Sequence, residues 1–126
     1  MGDISTHFSR REFACKGTDC DCQGAFDTVD ATLLRFLEDI RRHFDRRVTV
    51  LSGCRCLGHN ATVGGAMPDD RGSGGSQHLY GRAADIVVDG IDPALVYELA
   101  QQMEVGGLGA YSGWTHIDSR AGFARW

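Results

Sequence analysis

The chain has 126 residues, with 13 basic and 17 acidic side chains and a formal net charge of -4 at pH 7. This length predicts one domain over residues 1–126 with a real hydrophobic core, and we expect a monomer. No basic stripe with interleaved aromatic residues occurs, which argues against a nucleic-acid partner. No apolar run is long enough to span a bilayer and no signal peptide is recognisable, so we expect no membrane insertion.

Residues 1–26 are predicted to be a polar, cysteine-containing N-terminal arm. Ser9 and Glu12 have the spacing of a capping box, which predicts one helical turn near the start of the arm. That turn would present Phe8 and Phe13 to the core, so the arm is expected to be anchored there.

The clearest helix is predicted from Asp27 or Thr28 to about Phe44, because either residue can cap the first exposed amides. Apolar residues recur on one face at steps of three and four, namely Val29, Leu33, Phe36, Leu37, Ile40 and Phe44. The other face is predicted to be solvated and contains Asp30, Arg35, Glu38, Asp39, Arg41 and Arg42. This helix is therefore expected to pack one side against the core.

Two strands are predicted at residues 47–52 and 82–89, which are rich in β-branched or small side chains. The glycine-rich segment between them, residues 53–77, has hardly any periodicity. A structureless loop of that length inside a small domain is usually functional.

A second helix is predicted to begin at Asp92 and Pro93, which suit the cap and the first helical position, and to end before Gly106. Residues 108–111 and 114–118 then predict a pair of strands. We therefore predict an α+β fold in which a small, mostly antiparallel sheet carries the functional site and packs against two main helices.

Three side chains on or beside these strands have the chemistry of a zinc site. Asp85 lies within a predicted buried strand, where an unpaired carboxylate is costly and needs a cation or hydrogen-bond donors. His78 lies just before that strand, and the two-residue period of the last strand places His116 and Asp118 on one face. His78, Asp85 and His116 would hold a zinc with a fourth position open. The alternative is a set of structural histidines and a paired carboxylate.

Several motifs along the chain resemble one enzyme family. They are Ser-Gly-x-Arg at Ser52 to Arg55, His59-Asn60, Val63 to Ala66, Ser-x-His-x-x-Gly-x-Ala-x-Asp-Ile at Ser76 to Ile86, Gly107-x-Gly109-x-Tyr111, His116-Ile117-Asp118 and Trp126. Together they resemble the zinc D-alanyl-D-alanine carboxypeptidase and murein endopeptidase family, which includes bacterial and phage cell-wall lysins. The resemblance implies a zinc metallopeptidase that acts at the bacterial cell wall and hydrolyses peptidoglycan stem or cross-bridge peptides.

The resemblance also implies roles for individual residues. The family's zinc ligands fall on His78, Asp85 and His116. The arginine of the Ser-Gly-x-Arg motif falls on Arg55, which is implied to bind a substrate carboxylate or to stabilise the oxyanion. Ser76 is implied to contact substrate beside the first ligand. A surface ion pair is the alternative for Arg55.

The sequence departs from many relatives at Gly113, where they carry a catalytic acid three residues before the last histidine. Asp118 is the nearest candidate to replace this acid. It would act either as general base or as the residue that orients His116. A branch of the family lacks the upstream acid, so glycine there is compatible with activity.

The alternative function is a catalytically inactive zinc domain that binds wall peptides or forms a structural part of a phage particle. It follows from the same resemblance, because the family fold also occurs in non-peptidases such as hedgehog signalling domains.

Five cysteines, Cys15, Cys20, Cys22, Cys54 and Cys56, are an odd number, which argues against a fully paired disulfide framework. Three lie in the N-terminal arm and two flank Arg55. The two groups are predicted to meet as one or two disulfides or as a cysteine-rich structural zinc site. Because Cys-x-Cys is not the usual metal-binding spacing, disulfides are favoured over a second zinc and over five unpaired thiols.

Overall fold

One five-stranded sheet forms the centre of the computed structural model, which describes residues 2–126. Its strands are β1 (Val48–Ser52), β2 (Ala83–Val88), β3 (Gly107–Ala110), β4 (Thr115–Asp118) and β5 (Ala124–Arg125). Their order across the sheet is β1-β2-β4-β3-β5, and the pairs are antiparallel except β3 with β5. The predicted α+β fold with a mostly antiparallel sheet is therefore confirmed.

Three α-helices accompany the sheet: α1 (Ala31–Phe44), α2 (Leu57–Thr62) and α3 (Pro93–Gln102). Leu37 of α1 and Val96 of α3 belong to one buried cluster with Ile86 and Ile117 of the sheet. Helix α3 begins as predicted, with Asp92 accepting a hydrogen bond from the Ala94 amide at 2.9 Å. None of the helices in the described part of the chain has the length and apolar character needed to cross a membrane.

The predicted start of the first helix at Asp27 or Thr28 is wrong, because α1 begins at Ala31. Asp30 is the N-cap, and its carboxylate accepts hydrogen bonds from the Thr32 and Leu33 amides at 3.1 and 3.2 Å. The Asp30 amide donates to the Gly81 carbonyl at 2.8 Å, and Asp30 has an extended backbone conformation. A tertiary contact therefore decides between several possible caps.

Glu38 is also placed differently from the prediction, since its side chain is buried rather than on a solvated face. The residue is only 6% exposed. The N-terminal arm covers it and supplies three donors: Ser5 Oγ at 2.6 Å, the His7 amide at 2.7 Å and His7 Nδ1 at 2.6 Å. The helical pattern could not reveal this cover because the donors lie far away in sequence.

The segment 53–77 is not structureless, which corrects the predicted long loop. It contains α2, and a 3₁₀ helix follows at Gln77–Tyr80. Asn60 of α2 is fully buried and donates from Nδ2 to the Ala66 carbonyl at 3.0 Å. This bond folds the glycine-rich segment back over α2 and fixes one wall of the site described next.

The N-terminal arm is anchored as predicted by Phe8 and Phe13, each 1% exposed. They lie in a 3₁₀ turn at Arg10–Phe13 and just before it, and their ring centroids are 5.9 Å apart. The Cys54 amide donates to the Phe13 carbonyl at 2.7 Å. The arm is thereby joined to the segment that follows β1.

Candidate metal centre

His78, Asp85 and His116 meet on the face of the sheet opposite the core residues Ala84, Ile86 and Ile117. Asp85 on β2 and His116 on β4 face each other in the antiparallel register, and His78 comes from the 3₁₀ helix before β2. His78 Nε2 and His116 Nδ1 lie 3.4 and 2.9 Å from Asp85 Oδ1. One ligand atom from each residue lies within 4.8 Å of the others, so the three side chains could share a metal ion.

The turn that carries His78 is fixed by its neighbours. Ser76 Oγ accepts the His78 amide at 3.3 Å at the start of the 3₁₀ helix. Gly81 ends it with a φ of +69°, and a Cβ there would lie 2.3 Å from the Thr28 carbonyl oxygen. Glycine is therefore required at position 81, both for the left-handed backbone and for the close approach.

A backbone carbonyl sets the tautomer of His78. Its Nδ1 lies 2.6 Å from the Gly53 oxygen, and since a carbonyl only accepts, Nδ1 must carry the proton. In the neutral imidazole the lone pair is then on Nε2, which lies 3.4 Å from Asp85 Oδ1. This is the usual support of a metal-binding histidine, whose second nitrogen donates to a carbonyl or carboxylate.

His116 is held in the same way by Asp118. Its Nε2 lies 2.8 Å from Asp118 Oδ2 while Nδ1 faces Asp85. Burial alone would lower the pKa of His116, but the hydrogen bonds to Asp118 and Asp85 outweigh burial and raise it. The imidazole is therefore oriented between two carboxylates.

Asp118 is completely buried and both of its oxygens are occupied. Oδ1 accepts from the Gly107 amide at 2.8 Å and from Arg120 Nε at 2.9 Å, and Oδ2 accepts from Arg120 Nη2 at 2.7 Å as well as from His116. Burial would raise the pKa of Asp118, but the bonds from His116 and Arg120 lower it. Asp118 is therefore an ionised support behind His116 and does not line the cavity.

Asp85 is likewise kept ionised. Burial would raise its pKa, but the contacts with His116 and His78 lower it. Its second oxygen, Oδ2, accepts from Arg55 Nη2 at 3.3 Å. Arg55 also donates to Ser52 Oγ at 3.1 Å and Asn60 Oδ1 at 3.4 Å, so the guanidinium is fixed beside the centre.

A cavity of about 390 Å³ opens above these residues. Arg55, Ser76 and residues of the glycine-rich segment line it. Tyr111, Trp114 and Trp126 also line it, with the Tyr111 and Trp114 rings stacked at 4.6 Å and Trp126 Nε1 donating to Tyr111 Oη at 2.9 Å. Within residues 2–126, Asp85 is the one carboxylate among the lining residues.

One contributor to this site was missed by sequence reasoning. Arg120 lines the cavity and holds Asp118, yet it lies beyond the last predicted strand and no spacing marks it. Asn60 belongs to the His59-Asn60 motif, and in the structure its side-chain oxygen accepts a hydrogen bond from Arg55. Gly113 lies in the turn between β3 and β4, and open space surrounds the position a Cβ would take.

The cysteines fall into two sets. The sulfurs of Cys15, Cys20, Cys22 and Cys56 all lie within 4.8 Å of one another, and all five cysteines are free thiols. Cys54 is separate and 2% exposed, and burial raises the pKa of its thiol to about 11.

Comparison with known proteins gives one family. The family model described as Peptidase M15 matches residues 6–118, which contain His78, Asp85 and His116. No curated protein matches the chain.

Proposed function

The chain belongs to the peptidase M15 family, and from this premise we propose that it is a zinc-dependent peptidase that hydrolyses an amide bond of peptidoglycan peptides. Peptidases of this family depend on zinc. The observation that carries the proposal is the convergence of two oriented imidazoles and one ionised carboxylate at the base of an open cavity.

The donor set at the centre fits zinc. His78 Nε2, His116 Nδ1 and one Asp85 oxygen are the nitrogen and oxygen ligands that zinc takes in catalytic sites with three protein ligands. Each histidine has its other nitrogen tied to a carbonyl or carboxylate, which favours ligation. When bound, zinc supplies a Lewis acid that polarises the scissile carbonyl and activates water.

We assign substrate binding and charge stabilisation to Arg55. Its guanidinium lines the cavity and is held by Ser52, Asn60 and Asp85, so it is oriented before substrate arrives. A planar cation in this position can bind a peptide carboxylate through two parallel hydrogen bonds or stabilise the developing oxyanion. Ser76 also lines the cavity and is assigned a contact with substrate.

For Asp118 we favour the orienting role over the general base. A general base must reach the proton that it removes, directly or through one water. Asp118 has no exposed surface and accepts from His116, Arg120 and the Gly107 amide. These contacts support a carboxylate that fixes the His116 tautomer and leaves Nδ1 free for the metal.

The shape of the cavity suits a short peptide. Its aromatic side offers flat apolar surface, while Arg55 and Arg120 place two cations near the centre. Stem and cross-bridge peptides of peptidoglycan carry both small apolar side chains and carboxylates, which match these two surfaces. We place the site of action at the bacterial cell wall.

One observation favours a second candidate, a catalytically inactive zinc domain that binds wall peptides. No carboxylate other than Asp85 lines the cavity in residues 2–126, and Gly113 stands where many relatives carry an acid. Such a domain would retain zinc and peptide binding without turnover.

Turnover on defined substrates separates the two functions. We expect purified protein to release fragments from sacculi and from muropeptides, and we expect a chelator to stop the release until zinc is restored. His78→Ala and His116→Ala should abolish both activity and metal binding at this centre. Peptide binding with zinc present and no cleavage of any muropeptide would establish the inactive domain instead.

A further inference from the structure

We propose that Cys15, Cys20, Cys22 and Cys56 bind a structural zinc ion, separate from the centre formed by His78, Asp85 and His116. Their four sulfurs all lie within 4.8 Å of one another. The site requires none of the residues assigned to catalysis. Its test is therefore independent of the proposed peptidase function.

The distances among the sulfurs fit a tetrahedral site. Cys15 and Cys56 Sγ are 3.8 Å apart, and Cys20 and Cys22 Sγ are 3.6 Å apart. Four sulfurs bound to zinc at about 2.3 Å lie about 3.8 Å from one another. These two pairs already have this spacing, and since no two of the four sulfurs are more than 4.8 Å apart, no pair needs to close by more than about 1 Å.

The same distances favour a shared ion over disulfides. A disulfide brings two sulfurs to about 2.05 Å and leaves other pairs farther apart. Here all the sulfurs are grouped around one point, although they come from three places in the chain: position 15, positions 20 and 22, and position 56. Tetrahedral thiolate sites of this kind take zinc, and iron is the main competitor.

The surroundings also suit a metal site. The His59 amide donates to Cys56 Sγ at 3.4 Å, a type of bond that stabilises thiolates in metal centres. Cys15 is 4% exposed, and Gly17 passes so closely that a Cβ there would lie 2.8 Å from Cys20 Sγ and 2.7 Å from the His59 ring. The backbone is therefore closely folded around the sulfurs.

A zinc here would stabilise the part of the chain that follows the 3₁₀ turn at Arg10–Phe13. Residues 14–30 contain neither a helix nor a strand. Cys56 is the N-cap of α2 and directly follows Arg55. A metal shared by Cys15, Cys20, Cys22 and Cys56 would thus fix the arm to the segment that positions Arg55 and Asn60.

The fifth cysteine provides a control. Cys54 is only two residues from Cys56 but does not belong to the sulfur cluster, and it is 2% exposed. If every cysteine in this region contributed to zinc binding, Cys54 would contribute too. A site made of the four grouped sulfurs does not need Cys54. This division also accounts for the odd number of cysteines.

The test measures zinc in the full chain, purified under reducing conditions with zinc as the only added metal. The double variant His78→Ala/His116→Ala removes the histidine centre, and we expect it to retain one zinc per chain. X-ray absorption at the zinc edge should then find four sulfur neighbours at about 2.3 Å. Cys22→Ser combined with the two histidine substitutions should lose that zinc, whereas Cys54→Ser in the same background should keep it.

Three results would overturn the proposal. One is a folded double histidine variant without zinc. Another is a zinc edge dominated by nitrogen and oxygen neighbours in that variant. The third comes from wild-type protein that is denatured in the presence of a chelator, without a reducing agent, before its thiols are titrated. Fewer than five thiols would mean that disulfides had formed.

Discussion

Asp118 Oδ2 accepts a hydrogen bond from His116 Nε2 at 2.8 Å, and the carboxylate that makes this contact is entirely buried. Asp118→Asn keeps the shape but removes the charge that fixes the imidazole tautomer. Loss of such a partner typically costs 10- to 100-fold in metal affinity. We therefore expect zinc affinity at the histidine centre to fall about 10- to 100-fold, measured by competition with a chelator in the Cys22→Ser background.

Asp89→Asn is the matched control, because Asp89 is exposed just after β2. It should leave zinc affinity unchanged. If Asp118→Asn binds zinc like the wild type but no longer cleaves muropeptides, Asp118 acts as the general base rather than as the support of His116.

Gly107, in β3, and Gly113, in the turn between β3 and β4, should respond differently to alanine. A Cβ at Gly107 would lie 2.0 Å from Asp118 Oδ2, whereas a Cβ at Gly113 would meet nothing within 4 Å. Gly107→Ala should therefore displace the carboxylate, lower stability by about 1–3 kcal/mol and weaken zinc binding. Gly113→Ala should change the free energy of unfolding by less than about 0.5 kcal/mol.

Urea denaturation measures the free energy of unfolding of the two variants, and zinc titration measures their zinc affinity. Equal stability of both variants would contradict the close packing of Gly107 against Asp118. It would also remove the explanation for why a glycine stands at that position.

The sheet and the two longer helices were predictable because their signals are local. β-branched runs mark β1 and β2, and Asp92 with Pro93 marks the start of α3. His78, Asp85 and His116 could be proposed as one site because a buried carboxylate needs a cation or hydrogen-bond donors. The family resemblance, confirmed by the match over residues 6–118, favoured this zinc set over structural histidines and a paired carboxylate.

The remaining features depend on contacts that are distant in sequence. Asp30 was not recognisable as the cap of α1 because its amide is held by Gly81, and Glu38 was not recognisable as buried because its donors lie in the arm. Arg120 joins the site through Asp118 without any motif. Sequence periodicity describes one element at a time, whereas these roles arise only when elements meet.

Arg55 should be needed for turnover but not for metal content. Arg55→Ala removes the guanidinium that contacts Ser52, Asn60 and Asp85, and we expect kcat/KM on muropeptides to fall by about 100-fold or more. Arg55→Lys should recover little, because lysine keeps the charge and loses the planar fork. Zinc content should stay at the wild-type level in both.

Paired substrates distinguish the two roles of Arg55. If it binds a terminal carboxylate, Arg55→Ala should raise KM only for peptides with a free C-terminus near the scissile bond. If it stabilises the oxyanion, kcat should fall for amidated peptides as well. Arg71→Ala, at an exposed position, is the control and should behave like the wild type. Unchanged kinetics in Arg55→Ala would remove this residue from the site.

Glu38 gives a pH-dependent prediction about stability, away from the metal centre. Burial would raise its pKa, but hydrogen bonds from Ser5 and His7 outweigh burial and lower it below the ordinary value of 4.5. The Glu38 carboxylate therefore takes up a proton at a higher pH in the unfolded chain than in the folded protein. The stabilisation from Glu38 is complete above about pH 4.5 and is lost as the pH falls through the lower pKa of the folded state.

Glu38→Gln should cost about 1–3 kcal/mol at neutral pH, because a buried charged acceptor with three donors is replaced by a neutral amide. The difference in free energy of unfolding between variant and wild type should shrink as the pH is lowered through the acidic range, because the wild-type carboxylate then becomes neutral too. Urea denaturation across that range measures this difference, and comparison with the wild type cancels the other carboxylates. Glu98→Gln, exposed on α3, should show no such trend. A difference that stays constant with pH would mean that the charge on Glu38 does not hold the N-terminal arm in place.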